Sequence, residues 1–146
     1  MYFEDIKLGM TVEIAPAVIE KEKMLDFAKT YDPIPLHTDE DYAKKTPFGA
    51  LLAPGVMTFM SVWAKFLELD LFGAEFLAGK STKIEWHKPV YAQDVLTGKA
   101  TITKLVKRNA KNGLVEITVE GYNQNGVLVL TDVTELIVKC KEVESC

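Results

Sequence analysis

Asp32 and His37 stand five positions apart in the segment Tyr31-Asp32-Pro33-Ile34-Pro35-Leu36-His37-Thr38-Asp39. A carboxylate and an imidazole at that range can share a water molecule and move its protons. Pro33 and Pro35 fix φ in the intervening chain, so the two groups can be held at little further entropic cost. A lone histidine also reads as a polar loop residue near a helix start, and only His37 and His87 occur in the chain. Two features favour chemistry over that reading: the prolines make the loop stiff, and a Pro54-Gly55 pair opens a helix shortly downstream. First-turn N–H groups have no acceptor inside the helix, and the macrodipole adds partial positive charge there. Gly55 has no side chain to block an approaching atom, so its N–H can bind a carbonyl oxygen that becomes negative during reaction. A carboxylate, an imidazole and an exposed amide suit addition of water beside a carbonyl, or its elimination.

These groups must be positioned by the elements around them. Met10 to Val18, rich in Val and Ile, reads as a first strand. Lys21 to Thr30 reads as a helix whose apolar stripe is Met24, Leu25, Phe27 and Ala28. It stops before Tyr31-Asp32-Pro33, because the residue preceding a proline avoids the α region. Pro33 and Pro35 then predict an extended, stiff loop, and Asp39 a cap for a short helix over Glu40 to Lys45. The central helix is predicted over Pro54 to Leu69, with Pro54 at the first helical position. Val56, Met57, Phe59, Met60, Val62, Trp63, Phe66 and Leu67 cover most of its circumference, so it is expected to be buried all round. Strands follow over Lys80 to Tyr91, Val95 to Lys107, Leu114 to Tyr122 and Val127 to Lys139. Asn112-Gly113 and Asn125-Gly126 carry the hairpin turn chemistry, and a bulge or register change is expected near Asp132 to Glu135. Helices first and strands second predict an α+β domain: a long antiparallel sheet wrapped around a buried central helix. One helix cannot cover so extended a sheet, and an exposed strand edge invites pairing, so a homodimer is expected.

Composition narrows the function classes. The 146 residues suit a single domain, 1–146. The balance of 17 Lys+Arg against 21 Asp+Glu disfavours a nucleic-acid partner. No apolar run is long enough to span a membrane. The start Met-Tyr-Phe-Glu-Asp-Ile-Lys lacks the basic and apolar regions of a signal peptide, so a cytoplasmic protein is expected. Cys140 and Cys146 fit neither a zinc site nor a redox pair, and no metal is expected.

The segment Tyr31 to Asp39, followed by Ala43, Phe48-Gly49 and Ala53-Pro54-Gly55, resembles the hydratase motif of the MaoC-like dehydratases, the (R)-specific enoyl-CoA hydratases of the hot-dog fold. Tyr2-Phe3-Glu4-Asp5-Ile6 with Gly9 is similar to the family's N-terminal signature. Trp86-His87-Lys88-Pro89-Val90 with Asp94 is similar to its strand-turn element after the central helix, and Asn123 to Gly126 to its last hairpin. The resemblance covers nearly the whole chain. It implies that Asp32 and His37 hold a water between them and act as the catalytic base and acid, and that the Gly55 N–H is the oxyanion donor. Phe48, Gly49, Pro54 and Val56, in and beside these motifs, are the expected substrate contacts. The implied reaction is reversible hydration of a trans-2-enoyl thioester to an (R)-3-hydroxyacyl thioester, a step of fatty acid metabolism. It needs no cofactor beyond the coenzyme A or acyl carrier protein that carries the substrate. The chain departs from the family's Gly-Asp-x-Asn-Pro at Tyr31 and Ile34, and from Ala-His-Gly at Pro54.

Other residues carry blander expectations. His87 is expected on a strand face. Lys104, Lys107, Arg108 and Lys111 read as a solvated hairpin tip, with coenzyme A phosphates as the alternative. Trp63 and Phe66 read as core, or in part as the wall of an acyl tunnel. Cys140 reads as an inert thiol. Two further functions use the same residues: a thioesterase in which Asp32 activates water for hydrolysis, and a non-catalytic acyl-thioester-binding subunit.

Overall fold

The computed structural model describes residues 1–142, so Cys146 lies outside the described residues. Alternating apolar residues build five antiparallel strands: β1 (Thr11–Val18), β2 (Phe76–Trp86), β3 (Val95–Lys107), β4 (Asn112–Tyr122) and β5 (Leu128–Lys139). They form one sheet in the order β1-β3-β4-β5-β2. Helix α1 (Lys21–Tyr31), the single turn α2 (Pro35–Thr38) and the short α3 (Glu40–Lys44) precede the central helix α4 (Gly55–Glu68). The sheet curls around α4, as the hot-dog fold requires. Ile117 and Val119 of β4, Leu96 and Ala100 of β3, and Val62 and Phe66 of α4 share one buried cluster. Fully burying a side chain of that size is worth about 1.5–3 kcal/mol. This cluster therefore fixes where α4, and hence the start of α4, sits against the sheet.

Several expectations need correction. Helix α4 is buried on one side only. Met57, Phe59, Val62 and Phe66 face the core, but Val56 (46% exposed), Met60 (52%) and Leu67 (47%) form an apolar stripe open to solvent. Pro54 caps α4 from outside instead of occupying its first turn. The loop between Asp32 and Asp39 is only half extended, because Pro35 starts the helical turn α2 with its preset φ.

In the sheet, β2 begins at Phe76, earlier than expected, and ends at Trp86. Its first residues are an exposed edge with two register shifts, so they show no burial alternation to read. The first hairpin turns at Arg108 to Lys111, ahead of Asn112-Gly113. The Asn109 side chain accepts from the N–H groups of Lys111 (2.8 Å) and Asn112 (3.0 Å) and makes the turn. Gly113 lies inside β4, where a Cβ would enter the ring of Phe3. The second hairpin does use Asn125-Gly126, with Gly126 at φ +73°. Strand β5 itself runs in continuous register over Asp132 to Glu135, and the shift opposite lies in β2 between Gly79 and Ser81. The alternation there was obscured by Asp132 and Thr134, which are polar yet face the interior.

Those two residues form a closed polar unit with Thr82 of β2. Thr82 bonds Asp132, Thr82 Oγ1 lies 2.8 Å from Thr134 Oγ1, and Thr134 Oγ1 lies 2.6 Å from Asp132 Oδ2. Two hydroxyls supply only two protons for these three contacts. Both are directed at the Asp132 carboxyl, one to each oxygen. Burial, the largest influence, pushes the Asp132 carboxyl above its ordinary range, while the two threonine hydroxyls pull it back only in part.

Candidate active site

Asp32 ends α1, and its N–H donates to Ala28 O at 2.9 Å. A carboxylate at a helix C-terminus opposes the macrodipole, so helix stability does not call for Asp there. The chain then extends through Pro33 and Ile34 and re-enters a helical turn at Pro35, which places His37 in the third position of α2. The His37 side chain turns inward, leaving the residue 7% exposed. Its Nδ1 lies 2.7 Å from Leu52 O. A carbonyl only accepts, so Nδ1 carries the proton and Nε2 is the nitrogen left for chemistry. The Leu52 N–H donates back to Leu36 O at 3.2 Å. This reciprocal clamp ties α2 to the residues that lead into α4.

Nε2 of His37 faces Asp32 Oδ2 at 3.3 Å. The two line one cavity of about 430 Å³ together with Gly55 and Val56 at the start of α4. No hydrogen bond from the Gly55 N–H is found among the described residues, as expected for the first turn. Across the cavity stands Trp86, whose indole lies so close to Gly55 that an added Cβ would fall 2.6 Å from its Nε1. A side chain at position 55 would collide with the indole, so the close packing of Trp86 on the start of α4 requires glycine there.

The expected residues separate into two groups. Asp32, His37, Gly55, Phe48 and Val56 line the cavity. Pro54 and Gly49 are not among its lining residues. Pro54 is buried as the α4 cap, and Gly49 takes φ +73° in a turn where its N–H donates to Thr46 O. Both shape the backbone that presents the neighbouring side chain. Asp39 is a cap, accepting from Tyr42 N at 3.1 Å. Phe66 is core, and Trp63 stacks on Phe59 with centroids 5.8 Å apart. Cys140 is buried, which pushes its thiol up. Lys104 of the hairpin patch pairs with Glu116, and none of Lys104, Lys107, Arg108 and Lys111 lines the cavity.

Eight further lining residues escaped the spacing argument, Thr58, Trp86, His87 and Lys88 among them. His87 lies just past the end of β2, with Nε2 2.9 Å from Thr131 Oγ1, and so is not on a strand face. Leu52 pairs with Tyr91 in an isolated bridge, and Ala53 N–H donates to Val90 O at 2.8 Å. This contact folds the end of β2 over the start of α4. The intact Trp86-His87-Lys88-Pro89-Val90 run was the available signal, but only the bridge shows what it faces.

No helix among the described residues is long and apolar enough to cross a membrane. The family model described as "FAS1-like, dehydratase domain region" matches residues 7–132. The chain is 31% identical over 106 residues to the (R)-specific enoyl-CoA hydratase of Rhodospirillum rubrum, covering 72% of each. It is 27% identical over 141 residues to the uncharacterized protein YdeM of Bacillus subtilis, covering 95% of this chain and 99% of that one. The crystal structure of the MaoC-like dehydratase from R. rubrum superposes with a TM-score of 0.83 at 26% identity, covering 98% of this chain and 99% of that one.

Proposed function

We propose that this chain, which belongs to the family of FAS1-like, MaoC-like hot-dog dehydratases, catalyses the reversible (R)-specific hydration of trans-2-enoyl thioesters. Family membership makes it a hydratase or dehydratase; the substrate and the residue roles are our reading. The observation that carries this reading is the 3.3 Å approach of His37 Nε2 to Asp32 Oδ2 in a cavity that also holds the start of α4.

The pair shares one proton at rest. A water held by both gives a proton to the Asp32 carboxylate as its oxygen adds to carbon 3. The protonated Nε2 of His37 delivers its proton to carbon 2. The enolate-like thioester oxygen that develops between these events is held by the Gly55 N–H. Transfer of the proton from Asp32 back to His37 restores the pair. General acid–base catalysis contributes about 10²–10⁴-fold, and an oxyanion donor about 10²–10³-fold. The thioester is carried by coenzyme A or an acyl carrier protein.

Assembly as a homodimer is part of the proposal. Edge strand β1 carries Pro16, which blunts it against pairing. Edge strand β2 is 11 residues long, contains no proline and is largely exposed. The open apolar stripe of α4 also lacks cover among the described residues. Pairing of two β2 edges would satisfy the free backbone groups. Sedimentation at micromolar concentration is expected to give twice the chain mass, and a monomer would refute the pairing.

Hydration is tested by incubating the protein with trans-crotonyl-CoA and following loss of the enoyl absorbance while a thiol reagent monitors free coenzyme A. The expected result is loss of absorbance without thiol release. Thiol release would indicate hydrolysis by Asp32 instead. Binding of the thioester with neither change would indicate a non-catalytic subunit.

A further inference from the structure

We infer that Lys88 is a specificity residue that binds the phosphate of the carrier arm. This rests on the hydratase reading. Among the described residues, Asp32 and Lys88 are the only ones lining the cavity whose side chains are charged without a change in histidine protonation. Asp32 is occupied with His37. Lys88 is exposed and has no ion-pair partner among the described residues, unlike Lys21, Lys65, Lys104 and Lys141, which pair with nearby carboxylates.

The backbone beneath Lys88 is fixed more firmly than a surface loop requires. The N–H groups of His87 and Lys88 both donate to Val129 O, at 2.8 and 3.4 Å. The His87 ring is tied to Thr131, Pro89 follows with its locked φ, and Val90 O accepts from Ala53 N. A lysine held by this brace at the rim of a reaction cavity presents a point charge, with only its own side chain free to move. The substrate of such a site is a thioester whose carrier is anionic through phosphate. An ammonium at the rim suits that group, whereas the bulk of the acyl chain offers it nothing. The basic cluster at the β3–β4 hairpin does not line the cavity.

The test compares crotonyl esters of coenzyme A, 4′-phosphopantetheine and unphosphorylated pantetheine with the wild type, Lys88→Ala and Lys88→Arg. The wild type is expected to prefer both phosphorylated esters through KM. In Lys88→Ala that preference in kcat/KM falls about tenfold, about 1.4 kcal/mol, with the change in KM. Lys88→Arg restores most of it, and added salt shrinks it, because the charge is exposed to screening. A preference unchanged by Lys88→Ala, or a loss equal on the pantetheine ester, would overturn the inference. A response to both phosphorylated esters supports contact on the arm; a response to the coenzyme A ester alone would place the contacted phosphate beyond the pantetheine arm and overturn the inference. Calorimetric binding of free coenzyme A against pantetheine needs no turnover. If the wild type hydrates no ester, the hydratase reading fails. A tenfold weaker binding of coenzyme A by Lys88→Ala would still uphold the phosphate contact.

Discussion

Asp32 and Asp132 put the same carboxyl group in opposite settings. Asp32 ends a helix, keeps 41% of its side chain exposed, and meets an imidazole whose other nitrogen is already committed to Leu52 O. Asp132 is wholly buried in the sheet, and its two partners are threonine hydroxyls of β2 and β5. The first carboxyl faces a titratable group across a space that substrate and water can enter. The second accepts from two threonine hydroxyls, one to each oxygen, and has no titratable partner. Burial and pairing are thus poor guides to chemistry by themselves; what separates the two is whether the partner can accept and return a proton.

That contrast predicts different failures. Asp32→Ala and His37→Ala are each expected to lower kcat for crotonyl-CoA hydration by about 10²–10⁴-fold; Asp32→Ala should unfold close to wild type, whereas His37→Ala also strips the Leu52 carbonyl of its partner and should cost about 1–3 kcal/mol. A variant that lost activity only by unfolding would make Asp32 a structural residue like Asp132. Asp132→Ala is expected to reverse the pattern, losing about 1–3 kcal/mol of stability in urea titration because buried hydroxyls lose a partner. Its activity per folded molecule should persist. Thr82→Val opens the same ring at its β2 side and should cost about 1 kcal/mol, read from the same titration.

The pH dependence of Asp132 sharpens the comparison further. Its folded carboxyl binds a proton more tightly than the unfolded chain does, because burial raises it. The stabilisation this provides is complete below the ordinary carboxylate value of about 3.9. It drains away as pH rises from there through the raised folded value. Asp132→Asn cannot ionise and should lack this decline, with stability near neutral pH within about 1 kcal/mol of wild type. Stability–pH curves that stay parallel for wild type and Asp132→Asn would mean that the folded carboxyl titrates as it does in the unfolded chain.

Much of this was legible before any coordinates. The alternation of Leu96, Gly98, Ala100 and Ile102 gave the core face of β3, with both strand limits as expected. The Asp39 cap and the Asn125-Gly126 turn likewise follow local rules that tertiary structure did not override. Errors arose where one residue type serves two purposes. Gly113 looked like a turn glycine because it follows Asn112, but it is there to admit the Phe3 ring. Helix α4 looked buried throughout because its sequence is apolar on faces that the single chain leaves open. At the site, Asp32, His37 and Gly55 could be named from types and spacing. Trp86 and Lys88 could not, since they reach the cavity through the long-range pairing of Leu52 with Tyr91.

The most direct test of the central claim is a double-variant cycle on kcat/KM for trans-crotonyl-CoA, using Asp32→Ala, His37→Ala and the combined variant. Two groups that act on one water through one shared proton lose nearly everything when either is removed, so the combined variant should be about as slow as the slower single variant. Losses that multiply independently, or single variants that keep wild-type turnover, would contradict the account.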